Sequence, residues 1–210
     1  MNEHPVPPFL RLPIELRYAI YDHLCLSSPR SYPYKDPFPI TAIDTTGPPL
    51  ALLLLNHNIF SEISTYYFAR CTFRFTAQSF GIRPRTISPS SLHIVHNMRK
   101  VELLLLPGKM LASLVSLPDI EIKAMAAHWL DEHISLLRNE ATELRTVVIS
   151  MRSASWVVEG TIGEEMKALS KLLEEIRRRV EVRVGEVVGP DALEDSMKEE
   201  LAAMLKRLNG

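Results

Sequence analysis

The sequence predicts a mixed fold, α+β shading into α/β, with an N-terminal helical module packed on a small, irregular, parallel β/α layer. Three observations carry this. Prolines crowd the first forty residues (Pro5, Pro7, Pro8, Pro13, Pro29, Pro33, Pro37 and Pro39) and only Pro190 follows Pro118, so long helices are easier to build in the C-terminal half. Two apolar stretches at helical spacing lie before residue 70. Beyond it, β-prone runs centred near residues 73, 103, 148 and 183 alternate with helical ones. Strands joined through a helix prefer parallel pairing with right-handed crossovers.

The first helix is expected from Pro13 to about Leu26. Proline suits a first turn, and Leu16, Ile20 and Leu24 repeat every four residues to give one apolar face. Residues 27–49 carry turn formers without a period and read as a Pro-rich loop, long enough to be an insertion or a flap. A second helix is expected from Leu50 to Ala69, striped by Leu52, Leu55, Ile59, Ile63 and Tyr66 and widened by Leu54, Phe60 and Tyr67. Residues 1–70 then form one module and residues 71–210 a β/α region.

In that second region Cys71–Phe75 is β-prone, and Ser88-Pro89 opens a helix over Ser90–Asn97. Lys100–Leu106 reads as a strand buried on both faces. Ile122–Arg138 is helical, with Met125, Ala126, Trp129, His133, Leu136 and Leu137 on or near one face. Arg145–Met151 is the next strand. Thr161 and Glu164 have capping-box spacing ahead of a helix with Met166, Leu169, Leu173 and Ile176. Glu181–Val188 alternates and then breaks at Gly185, before an amphipathic helix over Asp191–Leu208 with Leu193, Met197, Leu201 and Leu205 in phase. The later strands recur loosely without a consensus. A leucine-rich-like curved layer and a small open α/β sheet both fit.

Composition excludes several classes of function. A formal net charge of −1 gives no global attraction to nucleic acid or membrane. The apolar runs Leu50–Leu55 and Leu103–Leu106 fall far short of the roughly 20 residues that cross a bilayer. Two cysteines, Cys25 and Cys71, make no disulfide framework, and a reducing intracellular setting, cytoplasmic or nuclear, is expected.

Three blocks carry a resemblance. Phe9-Leu-Arg-Leu12-Pro13-Ile-Glu15-Leu16-Arg17-Tyr-Ala-Ile20-Tyr21 is similar to the opening of fungal F-box-like domains: a hydrophobic residue, Leu-Pro, any residue, Glu-Leu-Arg, then Ile and an aromatic. Leu53-Leu-Leu-Asn56-His-Asn-Ile59-Phe-Ser-Glu62 resembles that family's second block. Tyr66-Tyr67-Phe68 running into Thr72-Phe73-Arg74-Phe75 resembles the block that closes the domain. The order matches over residues 9–76, about a third of the chain. The chain departs from the pattern at the 27–49 insertion and at Asn56-His57-Asn58, where cysteine, arginine and tryptophan are common.

The resemblance implies a recruiting protein, not an enzyme. Its N-terminal module would bind a Skp-family adaptor and bring a protein client to a cullin-RING ubiquitin ligase. The adaptor-facing residues it implies are Leu12, Pro13, Glu15, Leu16 and Ile20, with Leu54 and Ile59 as further candidates. The physical basis is burial of an apolar helix face in a groove, roughly 1.5–3 kcal/mol per buried aliphatic before binding costs. The same spacing would equally serve the module's own core. Trp156, in a Ser-Ala-Ser loop after a strand, is the candidate client contact.

No catalytic, metal or cofactor set emerges from the sequence. His93 and His96 share spacing for one helix face but have no third ligand at standard spacing. There is no nucleophile elbow, and Pro107-Gly108-Lys109-Met110 lacks the glycines and hydroxyl of a phosphate loop. Cys25 and Cys71 read as small buried hydrophobes, and Arg177-Arg178-Arg179 as cations favoured at a helix C-terminus. The readings that stand are an F-box-like recruiter, a stand-alone interaction or scaffold protein without adaptor binding, and more remotely an α/β enzyme with its site at strand C-termini.

Overall fold

The computed structural model describes residues 7–24, 30–31, 40–45, 47–76, 87, 89–106, 119–152, 166, 169–171 and 173–209. Cys25, Trp156, Thr161 and Glu164 lie outside these residues, as do the side chains of Met125, Trp129 and Leu193.

A single 3₁₀ turn, Pro8–Arg11, leads into α1 (Ile14–Leu24). The Pro13 carbonyl accepts from the amides of Leu16 and Arg17, so the proline sits where a helix has no use for its missing N–H. The segment expected to be a loop instead contains two short strands, β1 (Arg30–Ser31) and β2 (Ile40–Ile43). β2 runs antiparallel to β3 (Thr72–Thr76), and Ile40 and Ile43 are buried in the main core. Thr41 ties the pairing further, its hydroxyl donating to the Arg74 carbonyl at 3.0 Å and sharing a hydrogen bond with Thr76 at 2.7 Å.

The expected second helix is also divided. α2 (Leu50–Leu53) ends where Leu54 and Leu55 turn, and α3 (His57–Arg70) starts anew. The cause is Asn56, which adopts extended backbone and accepts the Asn58 amide on its side chain at 2.8 Å, an N-cap that satisfies one orphan donor.

After β3 come α4 (Pro89–Asn97), β4 (Lys100–Leu105), α5 (Asp119–Glu140), β5 (Thr146–Arg152), helical turns at residues 169–171 and 173–174, β6 (Glu181–Val188) and α6 (Asp191–Asn209). The sheet runs β1-β2-β3-β4-β5-β6 in space as in sequence, antiparallel at the first two pairings and parallel at the last three. The molecule is thus a mixed α and β protein with a mostly parallel sheet, and the parallel pairing expected of the four later strands is what forms.

Register assigns the two faces. The row Phe73–Val101–Val147–Val182 and the row Phe75–Leu103–Ile149 are buried. They pack in one cluster with Val95 of α4, Leu130, Ile134 and Leu137 of α5, and Met197, Leu201 and Met204 of α6. Helices therefore cover one face of the sheet. In α5 the core stripe is Leu130, Ile134 and Leu137, continued by Ala141 just past its end, while the expected His133 and Leu136 are only half-buried at its edge. His133 meets Phe75 edge-on, ring centres 5.5 Å apart.

The opposite face is polar. Arg74 donates to Glu102 at 2.7 Å, and Ser150 hydrogen-bonds the other oxygen of the same carboxylate. Ser150 also accepts the Glu186 amide at 3.1 Å. Here β6 does not break at Gly185 but bulges, with Gly185 and Glu186 both opposing Ser150. A Cβ at Gly185 would lie 2.1 Å from the Ser150 Oγ and 2.6 Å from a Val148 methyl, so only glycine fits.

Candidate protein-docking surface

α1 has two faces, and the Leu16, Ile20 and Leu24 stripe, for which a docking role and a core role were equally open, is not the one that packs inward. Its inward residues are Tyr18 and Tyr21. Tyr21 is fully buried and joins Ile63 and Tyr66 of α3 in a small core separate from the main one, closed by Phe9, Leu52 and Leu53. The rings meet at tilted angles, with Tyr18 and Tyr66 centres 4.6 Å apart and Phe9 and Tyr21 centres 5.9 Å apart. Tilted aromatic contacts of this kind add to plain area burial.

Polar groups lock the same interface. The Arg17 guanidinium grips Glu62 of α3 through two hydrogen bonds, 2.8 Å from Nε and 2.6 Å from Nη2. Its remaining nitrogen donates to the Leu12 carbonyl and, at 3.3 Å, to that of Leu10, which fixes the 3₁₀ turn against α1. The Tyr21 hydroxyl donates to Glu62 at 3.0 Å. Hydrogen bonding from Arg17, with Tyr21 adding to it, holds the Glu62 carboxyl below the usual carboxylate range, and burial opposes this. Burial and the neighbouring carboxylate push the Tyr21 hydroxyl up. At the far end Asp22 accepts from Tyr66 and pairs with Arg70, whose guanidinium also stands over the Tyr66 ring at 5.3 Å.

With the inner face so occupied, Leu16, Ile20 and Leu24 are turned outward. Leu16 is 53% exposed and Leu24 44%, with Ile20 half-buried between them. Four-residue spacing puts the three in one stripe, about 12 Å long at 1.5 Å per residue. Pro13 and Glu15 are exposed beside it, and Leu12 is half-buried. Leu54 is 75% exposed at the turn between α2 and α3. Ile59, in contrast, is buried and serves the interior.

Further apolar residues are exposed: Ile14, Leu50 and, from the stripe and widened face expected of the second helix, Leu55 and Phe60. The signal was there in the run Leu50–Leu55. A four-residue helix cannot bury every side chain of such a run, and Leu52 and Leu53 take the inner places. Surface leucines scattered singly are ordinary, whereas here they are concentrated on one small module, which makes it the candidate docking surface.

The other candidates are engaged elsewhere. His96 meets Glu140 at 3.0 Å, and His93 packs edge-on against Phe68. Cys71 is fully buried beside Thr45 at 2.8 Å. Arg177 and Arg179 donate to the Leu208 and Arg138 carbonyls in the last turns of α6 and α5, which caps two helix ends and draws the basic cluster onto backbone. Among the described residues no helix is long and apolar enough to cross a membrane. No protein-family model matches the chain, and no curated protein or solved structure matches it.

Proposed function

We propose that this chain is an F-box-like protein-interaction component. Its N-terminal helical module docks a Skp-family adaptor, and a leucine-rich-like β/α layer selects a protein client for a cullin-RING ligase. One observation carries the reading. The stripe of Leu16, Ile20 and Leu24 faces outward beside Pro13 and Glu15, while Arg17, Tyr21 and Glu62 hold the module together from within. The Leu-Pro-x-Glu-Leu-Arg block thus divides its labour: Leu16 is free to anchor a partner and Arg17 is not. The sequential, parallel order of β3 to β6 supports the layered architecture.

An apolar helix face of this kind gains its affinity by filling a groove, as amphipathic helices do in other complexes. The test mixes the full chain with a purified Skp-type adaptor and follows complex formation by size-exclusion chromatography and calorimetry. Wild type forms a complex, and L16D and L54D lose it while melting at the wild-type temperature. Folded wild type that forms no complex at micromolar concentrations overturns adaptor docking and leaves the stand-alone interaction protein.

A further inference from the structure

β6 is the last strand of the sheet, and among the described residues nothing pairs with its outer edge. An eight-residue edge is a template for another strand, and proteins usually shorten or cover it. Its side chains are arranged for a particular partner. Glu181 and Arg183 project from the same face, both more than half exposed, and pair with each other at 2.7 Å. Val184 belongs by register to the apolar face, opposite buried Ile149, yet is 43% exposed.

We propose that β6 pairs antiparallel with β6 of a second copy of this chain, about a two-fold axis through Val182, to make one sheet continuous through both copies. Backbone direction selects this centre. The Glu181 amide donates inward to the Arg145 carbonyl, so Val182 and Val184 present their N–H and C=O groups outward. Centred on Val182, residue 182 faces its own copy and residue 184 faces Val180 of the second copy. At residue 182 both chains direct their backbone groups at one another.

Charge selects the same centre. With the axis at Val182, each Glu181 stands directly opposite Arg183 of the second copy. Moving the axis one position places Glu181 opposite Glu181, or Arg183 opposite Arg183, which is destabilising. Val184 then gains an apolar neighbour in Val180, and the exposed edge of the apolar face is closed. The bulge at Gly185 and Glu186 ends the ladder there, confining the pairing to residues 180–184. The self-complementary patch is what two-fold symmetry requires.

Sedimentation equilibrium of the full chain tests this. Wild type dimerises reversibly with concentration, R183E raises the dissociation constant about tenfold or more, and the swapped double variant E181R/R183E restores it. All three keep the wild-type circular dichroism, since both side chains are exposed. In the dimer the Val182 and Val184 amides become protected from hydrogen exchange. A wild type that stays monomeric at hundreds of micromolar overturns the proposal. So does a dimer that R183E leaves intact or the double swap does not rescue.

Discussion

Arg17 and Glu62, forty-five residues apart, meet in a two-pronged pair that leaves each side chain only 13% and 16% exposed. The arginine reaches back to the 3₁₀ turn and the glutamate forward to Tyr21, so one pair joins three pieces of chain. Truncating one member strands the other in a half-dry site, which costs more than the pair contributes. Glu62→Ala should lower the melting temperature by several degrees. A double-mutant cycle of Glu62→Ala with Arg17→Ala should show strong coupling. Additive losses would mean the two act separately.

Acid should weaken the module through the same carboxylate. Arg17, with Tyr21, holds the Glu62 carboxyl below its ordinary value of 4.5. A depressed carboxylate contributes stability that is whole above the ordinary value and is lost as pH falls through the lower, folded one. Melting followed from pH 6 downward should show wild type losing this contribution as pH falls below the ordinary carboxylate value of 4.5 and Glu62→Gln lacking that component. Parallel curves for the two proteins would rule the carboxylate out as the cause.

Core and surface leucine-type residues of the module should respond oppositely. Ile63 is fully buried among Tyr21 and Tyr66, so Ile63→Ala opens a cavity at a cost of about 2–5 kcal/mol. Leu16→Ala, at a site 53% exposed, should stay within about 0.5 kcal/mol of wild type. Urea denaturation compares them directly. A Leu16 variant as damaged as the Ile63 one would place Leu16 in the core and remove the docking stripe.

Gly185→Ala tests the bulge. The new methyl would press on the Ser150 Oγ and Val148, and Ser150 cannot move without loosening Glu102 and the Glu186 amide. We expect a loss of about 1–3 kcal/mol. An unchanged denaturation midpoint would show that β6 relaxes freely there.

What could be read in advance follows from how each element is held. Strands β3 to β6 are buried by helices on one face, so runs such as Lys100–Leu105 and Thr146–Arg152 announce themselves. The stripe on α6 is equally plain, with Met197, Leu201 and Leu205 all buried. β2 was not legible, because four residues between prolines make a strand only when β3 offers its edge. The division at Asn56 was masked by the apolar run before it, although an Asn ahead of a helical pattern is itself a start signal. For the candidate surface, periodicity revealed that α1 has an apolar stripe at Leu16, Ile20 and Leu24. It could not reveal that the tyrosines would take the inner side instead. The Glu102 network was hidden inside a leucine-rich strand, where a lone glutamate gives no hint of its partners on Arg74 and Ser150.

β2 has a consequence for how the chain comes apart. It leaves the helical module between α1 and α2, adds itself to the sheet, and buries Ile40 and Ile43 among the side chains that the helices cover. The stitch passes out of one unit, through the other, and back. Neither can be released without unpicking the ladder between β2 and β3, so the two are coupled in unfolding and a cut after residue 70 would leave a raw seam on both pieces. A pull on α1 is therefore felt by the sheet.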